Sequence, residues 1–492
     1  MNSTPESEGL IFEKSSEGRE GVALPECDVE EVKPEEVIPQ EMVRGDIDGF
    51  PELSELDTVR HFTRLSQRNF GIDTVFYPLG SCTMKYNPKV NEDIAAMSGF
   101  SGLHPYQPVE LSQGALELIC EMEGCLAEIN GMDAVTLHPA AGAQGEFLGM
   151  LMLSAYFRDR GETRRKVIIP DTAHGTNPAS CRLAGFTVTP VKSGRDGIIT
   201  PESIAAVMDE ETAAIMLTNP NTLGLFERHI EEIAEIVRGR GGLVYCDGAN
   251  LNATMGIARA GDMGVDIIQL NLHKTFSTPH GGGGPGSGPV GVKSLLEPYL
   301  PKPRVKREGK RYLLDDDFPK SVGRLRAFHM NFGVVVRAYS YIRTMGGEGL
   351  KRASEMAVLN ANYLRNALKG SYHLPYEGPC MHESVFTDKL QSEGGVTTMD
   401  IAKRLIDYGF HPPTVYFPLV VPGAIMIEPT ETESRETLDR FIEAMKGVAR
   451  EAEEEPELVK EAPHTTRVGR LDEVKAARSP QLRWRRGTPS SG

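Results

Sequence analysis

The chain reads as an α/β protein built on a mostly parallel sheet, followed by a smaller α/β unit. Three observations predict this. Short apolar runs recur at Lys166–Pro170, Ala213–Thr218, Leu243–Cys246 and Val265–Leu270. Helical patterns separate them, most plainly Ile230, Ile233, Ile236 and Val237, which Gly241-Gly242 closes. Polar residues follow the runs: Asp171, Thr218, Asp247 and His273-Lys274. Short buried strands alternating with helices make βαβ units. Ligands of such sheets gather beyond the carboxyl ends of the strands.

In chain order, residues 1–70 are expected to form an N-terminal arm. Its first 40 residues are rich in Glu, Pro, Ser and Gly without periodicity, and read as mobile or wrapping. Residues 71–335 carry the large ligand-binding domain. A helix is expected from Phe332 through Ile342, ending near Gly346-Gly347 because glycine weakens helices. Residues 336–455 form the smaller C-terminal α/β domain, with helix over Ala402–Ile406 and strand over Ala424–Ile427. Residues 456–492 form a C-terminal basic tail; within 465–492, Arg467, Arg470, Lys475, Arg478, Arg483, Arg485 and Arg486 face only Asp472 and Glu473 near the single Trp484.

At 492 residues, 40% hydrophobic and 25% charged, the chain is long enough for two or three domains and a large core. A net charge of −16 argues against nucleic acid or an anionic membrane as the main partner. No run of about 18 apolar residues appears, and the acidic N-terminus is neither a signal peptide nor a good transit peptide. The cytoplasm is the expected compartment. Seven scattered cysteines without a CxxC read as structural thiols. No HExxH occurs, and no metal is expected.

The chemistry starts at Lys274, in Asn271-Leu-His-Lys-Thr-Phe-Ser-Thr-Pro-His280. An ordinary lysine, with a pKa near ~10.4, is a poor nucleophile at neutral pH. At a strand end in a partly buried pocket it can lose its proton and condense with an aldehyde. Asp247 ends the preceding strand, where a carboxylate can hold a ring nitrogen protonated. His174, in Asp171-Thr-Ala-His-Gly-Thr-Asn-Pro-Ala-Ser180, can stack on a planar group. Pro139-Ala-Ala-Gly-Ala-Gln-Gly-Glu146 opens an apolar helix, and small residues there leave free N–H groups for an anion. Gly281–Gly288 lets backbone approach closely, yet it is too proline-rich to open a helix as a nucleotide loop does.

These residues together resemble the fold type I pyridoxal-phosphate enzymes, whose central sheet is mostly parallel and of a seven-stranded type. Four stretches resemble one family in particular: Tyr77-Pro-Leu-Gly-Ser-Cys-Thr-Met-Lys-Tyr-Asn87, Gly131-Met-Asp-Ala-Val-Thr136, Asp171–Ser180, and Leu272–Gly288. They are similar to the P-proteins of the glycine cleavage system, glycine dehydrogenase (decarboxylating), and to the lysine-bearing half of the split form. The likeness runs from about residue 40 to 486 and includes Leu482-Arg-Trp484.

The resemblance implies pyridoxal 5'-phosphate carried by Lys274, its ring nitrogen paired with Asp247 and its ring stacked by His174. Ala141, Gly142, Ala143 and Gln144 would hold the phosphate, with Thr275. His138 and Gln144 depart from the residues expected there. The implied reaction is decarboxylation of glycine, with transfer of the aminomethyl group to the lipoyl arm of an H-protein. The implied partners are that H-protein and a paralogous subunit lacking the lysine, two copies of each. The reacting carbon must be kept from solvent protons, so a narrow channel is expected. Arg324, Arg326 and Arg337 are candidates for the glycine carboxylate, and the sequence does not choose among them. Whether Gly281–Gly288 touches phosphate or lines the channel is also open. The alternatives are another fold type I activity, such as an amino-acid decarboxylase or carbon–sulfur lyase, and a non-catalytic scaffold subunit.

Overall fold

The computed structural model describes residues 8–45, 47, 49–281, 286–327 and 329–483. Residues 282–285 of the glycine-rich loop, and Trp484, Arg485 and Arg486 of the tail, lie outside the described residues. The chain divides into two compact units, Val75–Lys460 and Met1–Thr74 with Glu461–Gly492.

The terminal unit is made of short elements. Its longest helix, Glu55–Ser66, begins at Ser54, whose hydroxyl oxygen accepts the Asp57 N–H at 3.1 Å and satisfies one free donor of the first turn. Asp472 caps the helix Glu473–Arg478 in the same way, accepting the Lys475 N–H at 2.9 Å. Within the first 40 residues, Ser15 Oγ accepts the Glu52 N–H at 2.9 Å and the Gly18 N–H donates to Glu52 Oε2 at 2.6 Å, so this part of the acidic arm is hydrogen-bonded where composition alone suggested mobility.

The larger unit holds a seven-stranded sheet of β1 (Ala134–Thr136), β2 (Lys166–Pro170), β3 (Thr187–Val191), β4 (Thr212–Thr218), β5 (Leu243–Gly248), β6 (Ile267–Leu270) and β7 (Val290–Val292). Their order is β1-β7-β6-β5-β4-β2-β3. β7 is antiparallel to both neighbours, and β2 to β6 are parallel. Strand side chains alternate between faces. On β5, Leu243 and Tyr245 join Leu148 and Ile169 in one core, while Val244 and Cys246 join Leu126 and Ile268 in the other. Both faces of the central strands are covered, so they are mainly apolar, with the buried Gln269 of β6 an exception. Thr218 and Asp247 come near the ends of β4 and β5.

A hairpin of β8 (Arg304–Glu308) and β9 (Arg311–Asp315) follows. The helix Phe332–Leu368 is broken at Gly346, where φ is 60° and ψ 179°, close to the predicted stop. Beyond it, β10 (Ser384–Thr387), β11 (Thr414–Val415) and β12 (Ala424–Ile427) form an antiparallel sheet in the order β10-β12-β11. The helices Thr398–Asp407 and Arg435–Glu454 pack Leu405 and Phe441 against Phe386 and Ile425. Burying each such side chain contributes about 1.5–3 kcal/mol. Among the described residues, no helix is long and apolar enough to cross a membrane. The seven cysteines are unpaired.

Candidate active site

The carboxyl ends of β5 and β6 bring Asp247 and Lys274 to one edge of the sheet. In register, Thr218 lies opposite Asp247 and Asp247 opposite Gln269. Asp247 is only 3% exposed. Its Oδ1 accepts the Ala249 N–H at 3.1 Å and its Oδ2 accepts the Asn177 amide at 2.8 Å. The same amide donates to Glu146 Oε2 at 3.0 Å, and Glu146 also accepts from Thr176 Oγ1 at 2.7 Å and Ser180 Oγ at 3.2 Å. Asn177 thus ties two buried carboxyls together. Among the described residues neither forms an ion pair.

Burial, reinforced by the charge on Asp247, pushes the Glu146 carboxyl up to about 7. The folded chain therefore holds that proton more tightly than the unfolded chain, whose value is 4.5. Glu146 contributes stability below pH 4.5 that is lost as pH rises through about 7. In the chain without added cofactor, Glu146→Gln should therefore gain on the wild type as pH rises from about 5 to about 8, by roughly 2 °C or more in melting temperature. A melting difference independent of pH would refute this assignment.

His174 lies near Asp247. Burial lowers its pKa, opposed by the Asp247 carboxylate, so the neutral imidazole is favoured. Its Nδ1 is 2.9 Å from Thr176 Oγ1, and its ring meets Phe417 edge-on at 5.6 Å. The Ala141–Gln144 turn opens the helix Gly142–Asp159, and no side chain caps it at Ala141. The first N–H groups of a helix have no partner within it. Gly142 is required by close approach, since a Cβ there would lie 2.5 Å from Asn271 Oδ1. At Gly288 a Cβ would strike the Ala141 carbonyl, and the Gly288 N–H donates to Pro139 O at 3.1 Å. The described end of the glycine-rich loop therefore packs against the anion-binding turn.

Lys274 is 9% exposed, and its ammonium donates to the Ser81 carbonyl at 2.6 Å. Ser81 belongs to the Tyr77–Asn87 stretch, which the sequence flagged without giving it a role. Thr83 and Lys85 of that stretch are also buried, and Lys85 donates to the Thr275 carbonyl and to Glu431, each at 2.6 Å.

Other expectations fare differently. The Thr275 hydroxyl accepts the Leu251 N–H at 2.8 Å, tying two loops together through a lone pair and leaving its O–H to donate. Gln144 folds back so that its Oε1 accepts the Ala140 N–H at 2.7 Å, leaving its backbone for the turn. His138 is buried against the Pro303 carbonyl at 2.9 Å, and burial lowers it to about 4. Arg324 is engaged with Asp316 at 2.9 Å, and Arg337 with both oxygens of Glu92 at 2.9 and 2.7 Å. Arg326 donates to Asn331 at 2.9 Å, and Asn331 in turn donates to the Ala140 carbonyl at 3.1 Å. Of the three arginines, Arg326 alone is linked to the turn by this route.

These residues fit the pyridoxal phosphate that the resemblance implies. A buried carboxylate without a cationic partner suits a protonated ring nitrogen, and an uncapped helix start suits a phosphate. Asn177 Oδ1 is a buried acceptor with no partner in the same network.

Known proteins agree with the geometry. The family described as glycine cleavage system P-protein matches residues 28–304, and the one described as glycine dehydrogenase, C-terminal domain, matches 353–465. The "Probable glycine dehydrogenase (decarboxylating) subunit 2" of Caldanaerobacter subterraneus subsp. tengcongensis is 59% identical over 97% of this chain and 99% of that relative. The protein of the same name from Halalkalibacterium halodurans is 59% identical over 98% and 99%. Among solved structures, an inhibitor-bound glycine decarboxylase (P-protein) of the glycine cleavage system gives a TM-score of 0.70 at 21% identity, covering 84% of this chain and 94% of that one. A cysteine desulfurase from Thermococcus onnurineus gives 0.59 at 16%, covering 77% and 95%. At such identities the structural likeness speaks for the fold, which is that of the fold type I enzymes. The near-full-length relatives carry more, and the chain belongs to the glycine cleavage system P-protein family.

Proposed function

We propose that this chain decarboxylates glycine with pyridoxal phosphate carried on Lys274, and passes the aminomethyl group to the lipoyl arm of an H-protein. In this reading it is the lysine-bearing subunit, works with a paralogous partner in two copies of each, and acts in the cytoplasm. One observation carries the proposal: a buried carboxylate without a cation, Asp247, ends the strand beside the one that delivers a buried lysine. The identity to subunit 2 relatives over nearly the whole length supports glycine over other fold type I substrates.

When bound, the cofactor supplies an electron-withdrawing ring that takes up the electron pair left by departing CO2. The chain's residues do the rest. Asp247, oriented by Asn177 and the Ala249 N–H, holds the proton on the ring nitrogen. His174 covers the ring as a neutral imidazole. The N–H groups at Gly142, Ala143 and Gln144 bind the phosphate. Lys274 carries the cofactor and, when free, rests its ammonium on the Ser81 carbonyl. Burial of Asp247 and Lys274 keeps bulk water from the reacting carbon, as aminomethyl transfer requires. Arg326 is the arginine we favour for an anionic ligand.

The test is exchange of labelled bicarbonate into glycine by the chain with its partner subunit and lipoylated carrier. Exchange with glycine, and none with bulkier amino acids, is expected. Decarboxylation of a bulkier amino acid without glycine exchange would favour the other fold type I reading.

A further inference from the structure

Three residues of the strap at 81–85 meet carboxyl groups. The Ser81 N–H donates to Glu383 Oε2 at 2.9 Å, Thr83 Oγ1 to Glu428 Oε1 at 2.8 Å, and Lys85 to Glu431 at 2.6 Å. Ser81 sits in the left-handed region at φ 65°, so its peptide is held in an orientation that a non-glycine residue adopts only when fixed. On the other side of the Ser81 Cα, its carbonyl receives the Lys274 ammonium.

Glu383 and Glu428 face each other. β10 pairs with β12 as Ser384 opposite Ile427, so the next pair outward is Glu383 opposite Glu428. Two like charges directly opposite on adjacent strands repel, and both residues are buried, at 3% and 0% exposure. One proton between them removes the conflict. The donors decide where it sits. Glu428 receives Thr83 Oγ1, the Asn250 amide at 3.0 Å and the Asn252 amide at 3.0 Å. Glu383 receives only the Ser81 N–H among the described residues. Glu428 is therefore the charged partner and Glu383 the acid. Burial, then each other's charge in the case of Glu383, pushes Glu383 up to about 8 and Glu428 up to about 7, in the same order.

We propose that Glu383 is a positioning residue for Lys274: as a neutral acid it holds the N–H of Ser81 and so fixes the residue whose carbonyl receives the lysine, while Glu428 supplies the counter-charge. This rests on the reading of Lys274 as the cofactor lysine. Ionisation of Glu383 adds a second negative charge, beside that of Glu428, near the nitrogen that carries the cofactor. The other groups facing the pair are His382, which burial keeps neutral, and Glu431, which is neutralised by Lys85. Lys274 also acts electrostatically on His174, His273 and His280, each lowered by burial, of which His280 meets the Thr83 carbonyl of the strap at 3.0 Å, and Asp247 acts on His174.

His382, Glu383 and Glu428 also bring one ligand atom each within 4.8 Å of one another, a spacing that a divalent cation accepts. The three donors already on Glu428 occupy its lone pairs, and the Lys274 charge opposes a divalent cation more strongly than it opposes one proton.

The test uses the chain with its partner subunit, loaded with pyridoxal phosphate, and follows visible absorbance against pH together with the cofactor dissociation constant. Lys274→Ala should show no lysine-bound band at any pH, and a missing band in the wild type would sink the cofactor reading itself. Glu383→Ala should weaken cofactor binding about tenfold, and Glu383→Gln should recover most of that loss. In Glu383→Gln the alkaline midpoint of the band should fall by about one pH unit, because a neutral amide cannot add the second charge. Binding in Glu383→Gln as weak as in Glu383→Ala at neutral pH, or an unmoved midpoint, overturns the proposal. If Glu383→Ala does not fold, the midpoint of Glu383→Gln decides alone. Stabilisation by added Mn²⁺ that Glu383→Gln abolishes would reveal a cation site and also overturn it.

Discussion

Lys274→Ala should abolish the lysine-bound cofactor band and lower glycine–bicarbonate exchange by about 10⁴-fold, the upper range for loss of a group acting both as nucleophile and in proton transfer. The side chain is buried and, among the described residues, its ammonium donates only to the Ser81 carbonyl, so the substitution removes that 2.6 Å hydrogen bond rather than a packed core element. The fold should survive, with a melting temperature within roughly 5 °C of the wild type. Lys274→Arg should fail equally, because a guanidinium does not give up its proton at neutral pH. Exchange within tenfold of wild type in either variant would remove Lys274 from the chemistry. Loss of folding in Lys274→Ala would instead show that its charge is needed to balance Glu428, and Lys274→Arg separates the two cases because it keeps that charge.

The central sheet was legible because its strands are buried on both faces. Residues such as Val244 and Cys246 alternate with Leu243 and Tyr245 between two cores, so the whole run is apolar and the first polar residue marks a strand end. Asp247 and Lys274 stood out for that reason, and the parallel pairing of β5 with β6 brings them to the same edge. Side-chain destinations were less legible. Thr275 follows the lysine directly, yet its hydroxyl goes to Leu251, which no local pattern indicates. Arg324 and Arg337 find Asp316 and Glu92 as partners; a long flexible cation takes the nearest carboxylate, and sequence does not say which that is.

Glu146 was visible only as the last residue of the phosphate turn. Its signal is a charged residue followed by the apolar stretch Phe147–Leu153, where burial demands donors; Thr176, Asn177 and Ser180 supply them from the His174 segment. Glu383 and Glu428 lie about 300 residues or more beyond the strap they bind, and nothing local distinguishes them from surface glutamates. The Tyr77–Asn87 stretch was distinctive as a motif, but its role depends on two partners that folding alone brings together: the lysine loop on one side and the small antiparallel sheet on the other.

Asp247→Asn should leave the cofactor bound while lowering exchange by about 10³-fold, the scale of losing one preorganised electrostatic stabiliser at a reacting centre. Asparagine keeps the size of the side chain, and its one oxygen can still accept the Ala249 N–H, now at 3.1 Å, but its amide nitrogen replaces the oxygen that accepts the Asn177 amide at 2.8 Å. The larger loss is the charge. A neutral amide does not hold a proton on a pyridine nitrogen, so the ring no longer takes up the electron pair that departing CO2 leaves. The substitution also relieves Glu146, whose carboxyl is raised by burial and then by Asp247, so the Glu146 pKa should fall in the variant. That second consequence gives a check independent of turnover. The pH dependence of melting attributed to Glu146 should move to lower pH in Asp247→Asn, and the two substitutions should be non-additive because they share Asn177. Near-normal exchange with cofactor bound would remove Asp247 from its role. A loss of exchange with the Glu146 titration unmoved would leave Asp247 a cofactor contact but refute the coupled carboxyl pair.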